Sequence, residues 1–299
     1  MIRAENLTKR FSDLTALDKL TLTVDDGNIF GLVGTNGSGK STFLRLLSGV
    51  YVPDEGHIAV EGEDTYENPR VKDSIFFVSD DLYFLPQSSL DEMARFYKAV
   101  YTHWSDERYV KLCTMFPIDR RKKLGTFSKG MRRQAALILA LASMPRYLLL
   151  DEAFDGLDPV IRFAVRRLIA DEMSTRPMTV LISSHNLREL EDFCDRIALI
   201  HAGKLIMECA MDEIKNAFTK VQVALKRPAD PSELEEVQVM AWEIKGSMGA
   251  IILKADADKA LEAVRRLDPA LAEVLPLTLE EVFIYEMEAA GYDYNKVLF

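Results

Sequence analysis

The 299 residues carry 37 Lys+Arg against 47 Asp+Glu, a net charge of −10, with 48% hydrophobic content. That is enough apolar material for one large core or two smaller ones, and the wrong sign for a generic nucleic-acid binder. Cys113, Cys194 and Cys209 have no ligand-like spacing and read as free thiols of a reducing compartment. Residues 1–5 lack the apolar stretch of a secretion signal, and the longest apolar run, 135–142, is too short to span a bilayer.

Taken in chain order, residues 2–7 and the alternating run 20–24 predict an antiparallel start, closed by a turn at Asp26-Gly27. Phe11 lies between them in a polar stretch. By position it reads equally as an edge or core aromatic and as a flat ring stacked on adenine. The apolar run 29–33 predicts a strand. After it comes Gly34-Thr35-Asn36-Gly37-Ser38-Gly39-Lys40-Ser41-Thr42, which fits G-x-x-x-x-G-K-[ST], and residues 42–47 continue with helical period. Strand, loop and helix are the setting this phosphate-binding motif requires. Small residues let backbone N–H groups turn inward around an anion, and the helix adds its positive end. Lys40 reaches the β- and γ-phosphates and Ser41 offers a hydroxyl to Mg²⁺. The stretch predicts nucleoside triphosphate binding.

A turn at Pro53-Asp54-Glu55-Gly56 leads to a strand over 57–60, and another over 74–78 ends at Ser79-Asp80-Asp81. Between about 87 and 145 the period is helical. Ser89 and Glu92 form a capping box, with Met93, Phe96, Tyr97 and Val100 on one face; Ser105 opens a second helix with Tyr109, Leu112, Cys113 and Phe116 on its apolar side. The buried-type strand 147–150 then ends in Asp151-Glu152. An isolated acid pair would read as a solvated strand end, but downstream of a P-loop the two have separate tasks. Asp151 holds Mg²⁺ through its water shell, and Glu152 orients or deprotonates the attacking water. Asp158 and Pro159 start a helix, a strand over 180–183 ends at Ser184-His185, and His185 is placed to touch the γ-phosphate. Strands near 197–200 and 205–207 close this portion. The tail has short strands near 220–225, 240–244 and 250–253 and a helix over 258–267. A last helix is capped by Thr278 and Glu281, with Gly291 near its end. It reads as a small α+β appendage with no active-site constellation of its own.

Together these residues resemble the ATP-binding subunit of an ATP-binding cassette (ABC) transporter, over residues 1 to about 215 and in the family's order. Gly34 to Thr42 is its Walker A motif and residues 147–152 its Walker B. Ser128, Lys129, Gly130 and Met131 stand at its signature, with the family pattern kept at Ser128 and Gly130. Asp158 ends a D-loop, and His185 falls at the switch histidine. The resemblance implies an α/β P-loop NTPase cassette at 1–215: a parallel-sheet core, an antiparallel β subdomain and a helical signature subdomain at about 87–145. An accessory α+β domain follows at 216–299. It further implies a head-to-tail dimer, of identical chains or close paralogues, with two ATP and Mg²⁺ between the copies. Each ATP would lie on one P-loop, capped by Ser128 and Gly130 of the other copy, with Phe11 stacked on adenine. Glu152, His185 and Lys40 would be the catalytic set, and Ser41, Asp151 and Asp80 the metal set.

Three positions depart from the family pattern. Lys129 and Met131 replace the commonest glycine and glutamine, and Asp80 holds the place of the Q-loop glutamine, Gln87 being seven positions on. Serine-lysine-glycine signatures, a single cassette and a C-terminal appendage resemble bacterial exporters of drugs, peptides and lantibiotics. Aspartate at the Q-loop resembles a subgroup exporting amphipathic peptides. The expectation is an ATPase on the cytoplasmic face of the cell membrane, driving a separate permease, with no nucleic-acid partner and membrane contact only through that permease. The alternative is a soluble ABC-type ATPase or a regulatory nucleotide-binding module.

Overall fold

The computed structural model describes residues 1–289; Gly291 lies outside the described residues. The described chain forms two units: Met1–His185 with Arg196–Met207, and Asn186–Asp195 with the described residues from Glu208 onward. The sequence expectation drew one cut near 215. The division found here falls eight residues earlier and also takes in Asn186–Asp195.

The first unit opens with β1 (Ile2–Phe11) and β2 (Leu14–Val24), both longer than their apolar cores suggested. Pairing extends them: Phe11 lies opposite Leu14, so the whole stretch between the expected strands is a hairpin arm. β3 (Ile29–Val33), α1 (Lys40–Leu47), β4 (Glu55–Val60), the short β5 (Glu63–Asp64), α2 (Pro69–Asp73) and β6 (Ile75–Val78) follow. The helical stretch holds α3 (Leu90–Val100), α4 (Asp106–Met115) and α5 (Lys129–Ala142). Then come β7 (Tyr147–Asp151), α6 (Pro159–Thr175), β8 (Thr179–Ser184), β9 (Arg196–His201) and β10 (Lys204–Ala210); α7 (Leu187–Glu191), between β8 and β9 in the chain, belongs to the second unit.

Two sheets result. One is antiparallel, in the order β2-β1-β4-β5; the other runs β10-β9-β3-β8-β7-β6, and β9, β3, β8, β7 and β6 are mutually parallel. Every residue of β3, β7 and β8 is buried, which is why the middles of these strands read as apolar runs rather than alternating ones. Helix α1 touches β2, β4 and β7. Its Phe43, Leu44, Leu46 and Leu47 share one core with Leu20 and Ile58 of the antiparallel sheet and Phe30, Leu149 and Leu181 of the parallel one. The helix that begins at Lys40 is thus anchored from both sides.

In the helical stretch the capping box at Ser89 and Glu92 is formed, with Ser89 N donating to Glu92 Oε2 at 2.7 Å. The buried face of α3 is turned relative to the expected stripe: Met93 and Ala94 are buried while Phe96 and Val100 stay exposed. Tyr97 and Tyr101 set this rotation by packing on Phe76, with ring centroids 5.1 and 5.2 Å away.

In the second unit α8 (Met211–Ala217) precedes β11 (Thr219–Leu225), β12 (Gln238–Lys245), β13 (Met248–Lys254), α9 (Ala257–Arg265), β14 (Pro269–Leu275) and α10 (Leu279–Ala289). The four strands form an antiparallel sheet in the order β12-β13-β11-β14. Alternation on β11 turns Val221, Val223 and Leu225 inward, against Ala260, Ala263 and Val264 of α9. Thr278 caps α10 reciprocally with Glu281, as the sequence predicted.

Candidate functional site

Register places the chemistry. Val33 pairs with Ser184 and Asp151 with Ser183, so Gly34, Glu152 and His185 leave neighbouring strands side by side. This is the C-terminal edge of the parallel sheet, where open α/β sheets bind ligands.

The loop from Gly34 to Gly39 wraps the start of α1. Gly39 is the N-cap at φ 113°, and no side chain caps the first turn, which also lacks acidic residues. The amides that open a helix have no intrahelical partner, so those of Lys40, Ser41 and Thr42 present an uncapped positive end to an anion. A Cβ on Gly34 would lie 2.2 Å from the Ile200 carbonyl oxygen, and one on Gly39 would lie 2.6 Å from that of Ala16. The loop therefore closes only with glycine at both. Asn36 and Gly37 are exposed and Thr35 half-buried at its mouth, while Ser38 is buried with its hydroxyl unpartnered.

Lys40 is buried. Its Nζ donates to Gly34 O at 2.6 Å and Thr35 O at 3.2 Å, and lies 3.7 Å from Glu152 Oε1. Burial pulls this ammonium below the usual lysine range, and the carboxylates of Glu152 and Asp151 oppose the pull.

Asp151 is fully buried. Its Oδ1 accepts from Ser41 Oγ at 2.9 Å and from Ser183 Oγ at 2.6 Å, while Oδ2 has no hydrogen-bond partner. A buried carboxylate oxygen without a partner is costly unless something else completes it. With the Ser41 hydroxyl beside it, the donor set is hard oxygen on one side of the phosphate loop, and it fits a Mg²⁺ that takes its remaining ligands from water and phosphate.

Glu152 is held in the left-handed region at φ 48°, where a non-glycine side chain is strained. Two bonds from its amide, to Ser183 O (3.2 Å) and Ser183 Oγ (3.1 Å), keep it there. The bend aims its carboxylate at His185, with Oε2 and Nδ1 2.9 Å apart. Lys40, Glu152 and His185 thus form a continuous line of polar contacts.

The other expected site residues sit elsewhere in the first unit. Phe11 ends β1, partly exposed, with its ring 5.3 Å from Tyr51 in an edge-on contact. Ser128 caps α5, its Oγ accepting from Met131 N at 3.3 Å. The partners of this signature lie on the loop after Glu152: Lys129 Nζ is 2.6 Å from Asp155 Oδ2, and a Cβ on Gly130 would lie 2.7 Å from Gly156 O. Asp158 caps α6 through Ile161 N at 3.0 Å. Asp80, expected at the metal, is bonded instead to Arg133, Oδ1 to Nη2 at 2.6 Å.

Sequence reasoning missed Ser183 and Arg133. Each left a signal. Ser183 is a polar residue closing an apolar central strand. Arg133 is a charge three, four and seven positions before Ala136, Leu137 and Ala140, all buried, so it lies on the buried stripe of α5.

The sequence matches the family described as ABC transporter over residues 17–155. It is 32% identical to the ABC transporter ATP-binding protein YtrB of Bacillus subtilis, across 95% of this chain and 97% of that one. The bacitracin transport ATP-binding protein BcrA of Bacillus licheniformis is 31% identical over 74% of this chain and 73% of its own. The probable sulfate/thiosulfate import ATP-binding protein CysA of Chlorella vulgaris is 31% identical over 74% of this chain and 96% of its own. In fold, the dimeric cassette MJ0796 superposes with a TM-score of 0.63 at 22% identity, covering 71% of this chain and 99% of that one.

Proposed function

The chain belongs to the ABC transporter ATP-binding proteins, and on that premise we propose that it is the ATP-hydrolysing motor subunit of an exporter, closing as a dimer around two ATP and Mg²⁺. The observation that carries this reading is the placement of Glu152: bent into the site, it lies between the phosphate-loop lysine and His185. Among the described residues no helix is long and apolar enough to cross a membrane. In the proposed reading, which rests on the family and not on that absence, the transport step falls to a separate permease, against whose cytoplasmic side this subunit docks.

In this reading the P-loop amides and Lys40 hold the β- and γ-phosphates, and Phe11 stacks on adenine. Glu152 accepts a proton from the attacking water and His185 contacts the γ-phosphate. Ser41 and Asp151 would hold the Mg²⁺, which would supply positive charge beside the phosphate oxygens. Lys129 and Gly130 have their own-chain contacts on the loop after Glu152, Ser128 and Met131 bond to each other in the first turn of α5, and the N-terminus of α5 is left to face a γ-phosphate held by a second copy. Asp158 ends the same loop as the N-cap of α6. The name of BcrA, the Ser128-Lys129-Gly130 signature and the α+β appendage favour export of a drug or amphipathic peptide as the work done.

Mixing two disabled chains tests the dimer. Lys40→Ala removes a charge-assisted contact to phosphate, which lowers ATP affinity by about 10–100-fold, and Ser128→Arg blocks the signature. Each should be nearly inactive alone, while the mixture regains Mg²⁺-dependent hydrolysis because the heterodimer has one intact composite site. Failure to regain activity at any ratio, or full activity of Ser128→Arg as a monomer, would refute the shared site. Co-purification with a polytopic membrane protein tests the docking.

A further inference from the structure

We propose that Arg133 is a positioning residue: a buried guanidinium that latches the Asp80 loop to the loop carrying Asp155, so that both move with the signature helix. The proposal rests on the ATPase reading above and adds to it a coupling element and a role for Asp80.

The geometry is specific. Arg133 is 1% exposed, and two of its nitrogens, Nε and Nη1, have no hydrogen-bond partner. Its compensation comes through Nη2, which lies 2.6 Å from Asp80 Oδ1 and 3.7 Å from Asp155 Oδ2. The carboxylates stand on loops that leave different strands, β6 and β7, and both are about half exposed. A buried cation is costly unless paired, whereas a half-exposed carboxylate is solvated without help. The arginine therefore depends on the two loops more than they depend on it, and any displacement of one loop changes how strongly it holds the other. The neighbours tighten the block. Lys129 binds Asp155 at 2.6 Å, and Arg132 Nη2 donates to Leu82 O at 2.7 Å, so α5 grips both loops within one turn. Asp155 and Gly156 lie between Glu152 and Asp158, and Tyr83, 74% exposed, tips the Asp80 loop. A push on that exposed loop would reach the nucleotide side through the first turn of α5, where Arg133 is the side chain that faces both loops.

The test uses the full chain and has two arms. In the first, backbone hydrogen exchange without nucleotide is compared for wild type, Asp80→Asn and Arg133→Gln. Asp80→Asn should speed exchange in residues 153–158, which Asp80 does not touch, as well as in 79–85. An effect confined to 79–85 overturns the latch. The second arm is a double-mutant cycle in ATPase rate. Each single change should lower kcat by about tenfold with ATP affinity within about twofold, and the double variant should be no slower than the worse single one. A hundredfold loss in the double, the product expected of independent sites, overturns the proposal. So does a raised Mg²⁺ requirement in Asp80→Asn with Arg133→Gln unaffected, which would make Asp80 a metal ligand. Should Arg133→Gln not fold, Arg133→Lys, which keeps the charge and loses the fork, takes its place in both arms. If wild type hydrolyses no ATP, the ATPase reading fails and the exchange arm alone decides the latch.

Discussion

Two charge clusters lie close in sequence on either side of Glu152 and are built on opposite plans. Around Asp151 and Glu152 the carboxylates come from strand ends, Asp151 buried outright, and the lysine they face is buried with them. Around Asp155 the carboxylates are half exposed and the cations start a helix, one exposed (Lys129) and one buried (Arg133). In the first, unsatisfied atoms point to something still to be bound: Asp151 Oδ2 and the Ser38 hydroxyl. In the second, the unsatisfied atoms belong to a guanidinium already clamped by two loops. The difference separates a place where bonds are made from a place where loops are held. Substitutions in the two clusters should fail in different ways.

The largest effect is expected from Glu152→Gln. It keeps the shape and removes the proton acceptor, so turnover should fall about 10²–10⁴-fold while ATP binding persists. ATP-bound dimers should then accumulate on a sizing column. Rapid hydrolysis by this variant would move the base elsewhere and erase the contrast.

Gly130→Ala sharpens the other side. The added methyl would meet Gly156 O at 2.7 Å and must displace the loop that carries Asp155. The Arg133–Asp155 contact should loosen, and kcat should fall roughly tenfold, about 1.4 kcal/mol in the barrier. The P-loop does not share this contact, so the ATP dissociation constant should hold. A parallel loss of affinity, measured by titration with a fluorescent nucleotide, would mean the two clusters are not separable.

How legible this was follows the same division. The phosphate loop, the acid pair and the strands beneath them could be read because local pattern and tertiary role agree there: the middles of the buried parallel strands are apolar, and Gly34 and Gly39 are fixed by close backbone approach. The face of α3 was read a step out of phase, since the ring of Phe76 that sets it arrives from another element. Strand β14 was not foreseen. Its sequence, PALAEVL, is rich in helix formers and opens with proline, and it becomes a strand only by pairing with β11 at the sheet edge. Asp80 was placed by analogy of position; its bond to Arg133 depends on where α5 starts relative to β6, which no local pattern carries.

The smallest expected effect tests the electrostatics of the first cluster alone. Burial holds the Lys40 ammonium below the ordinary lysine range, near 10.4, so it loses its proton at a lower pH than a surface lysine would. Bound phosphates favour the charged form, and ATP binding should therefore take up a proton once the pH exceeds the depressed value. The sign is fixed: affinity is full while Lys40 is charged in the free protein and declines as the pH rises through its lowered pKa. It should level only where the nucleotide-bound lysine begins to titrate. Calorimetry in buffers of different ionisation enthalpy reads the proton uptake directly. The Asp155 carboxylate moves the opposite way, its hydrogen bond to Lys129 holding it below the usual range, so it stays charged throughout this alkaline window. An alkaline decline in affinity therefore belongs to the phosphate site and not to the latch. Affinity that begins to fall only in the ordinary lysine range would show that Lys40 is better solvated than its burial implies.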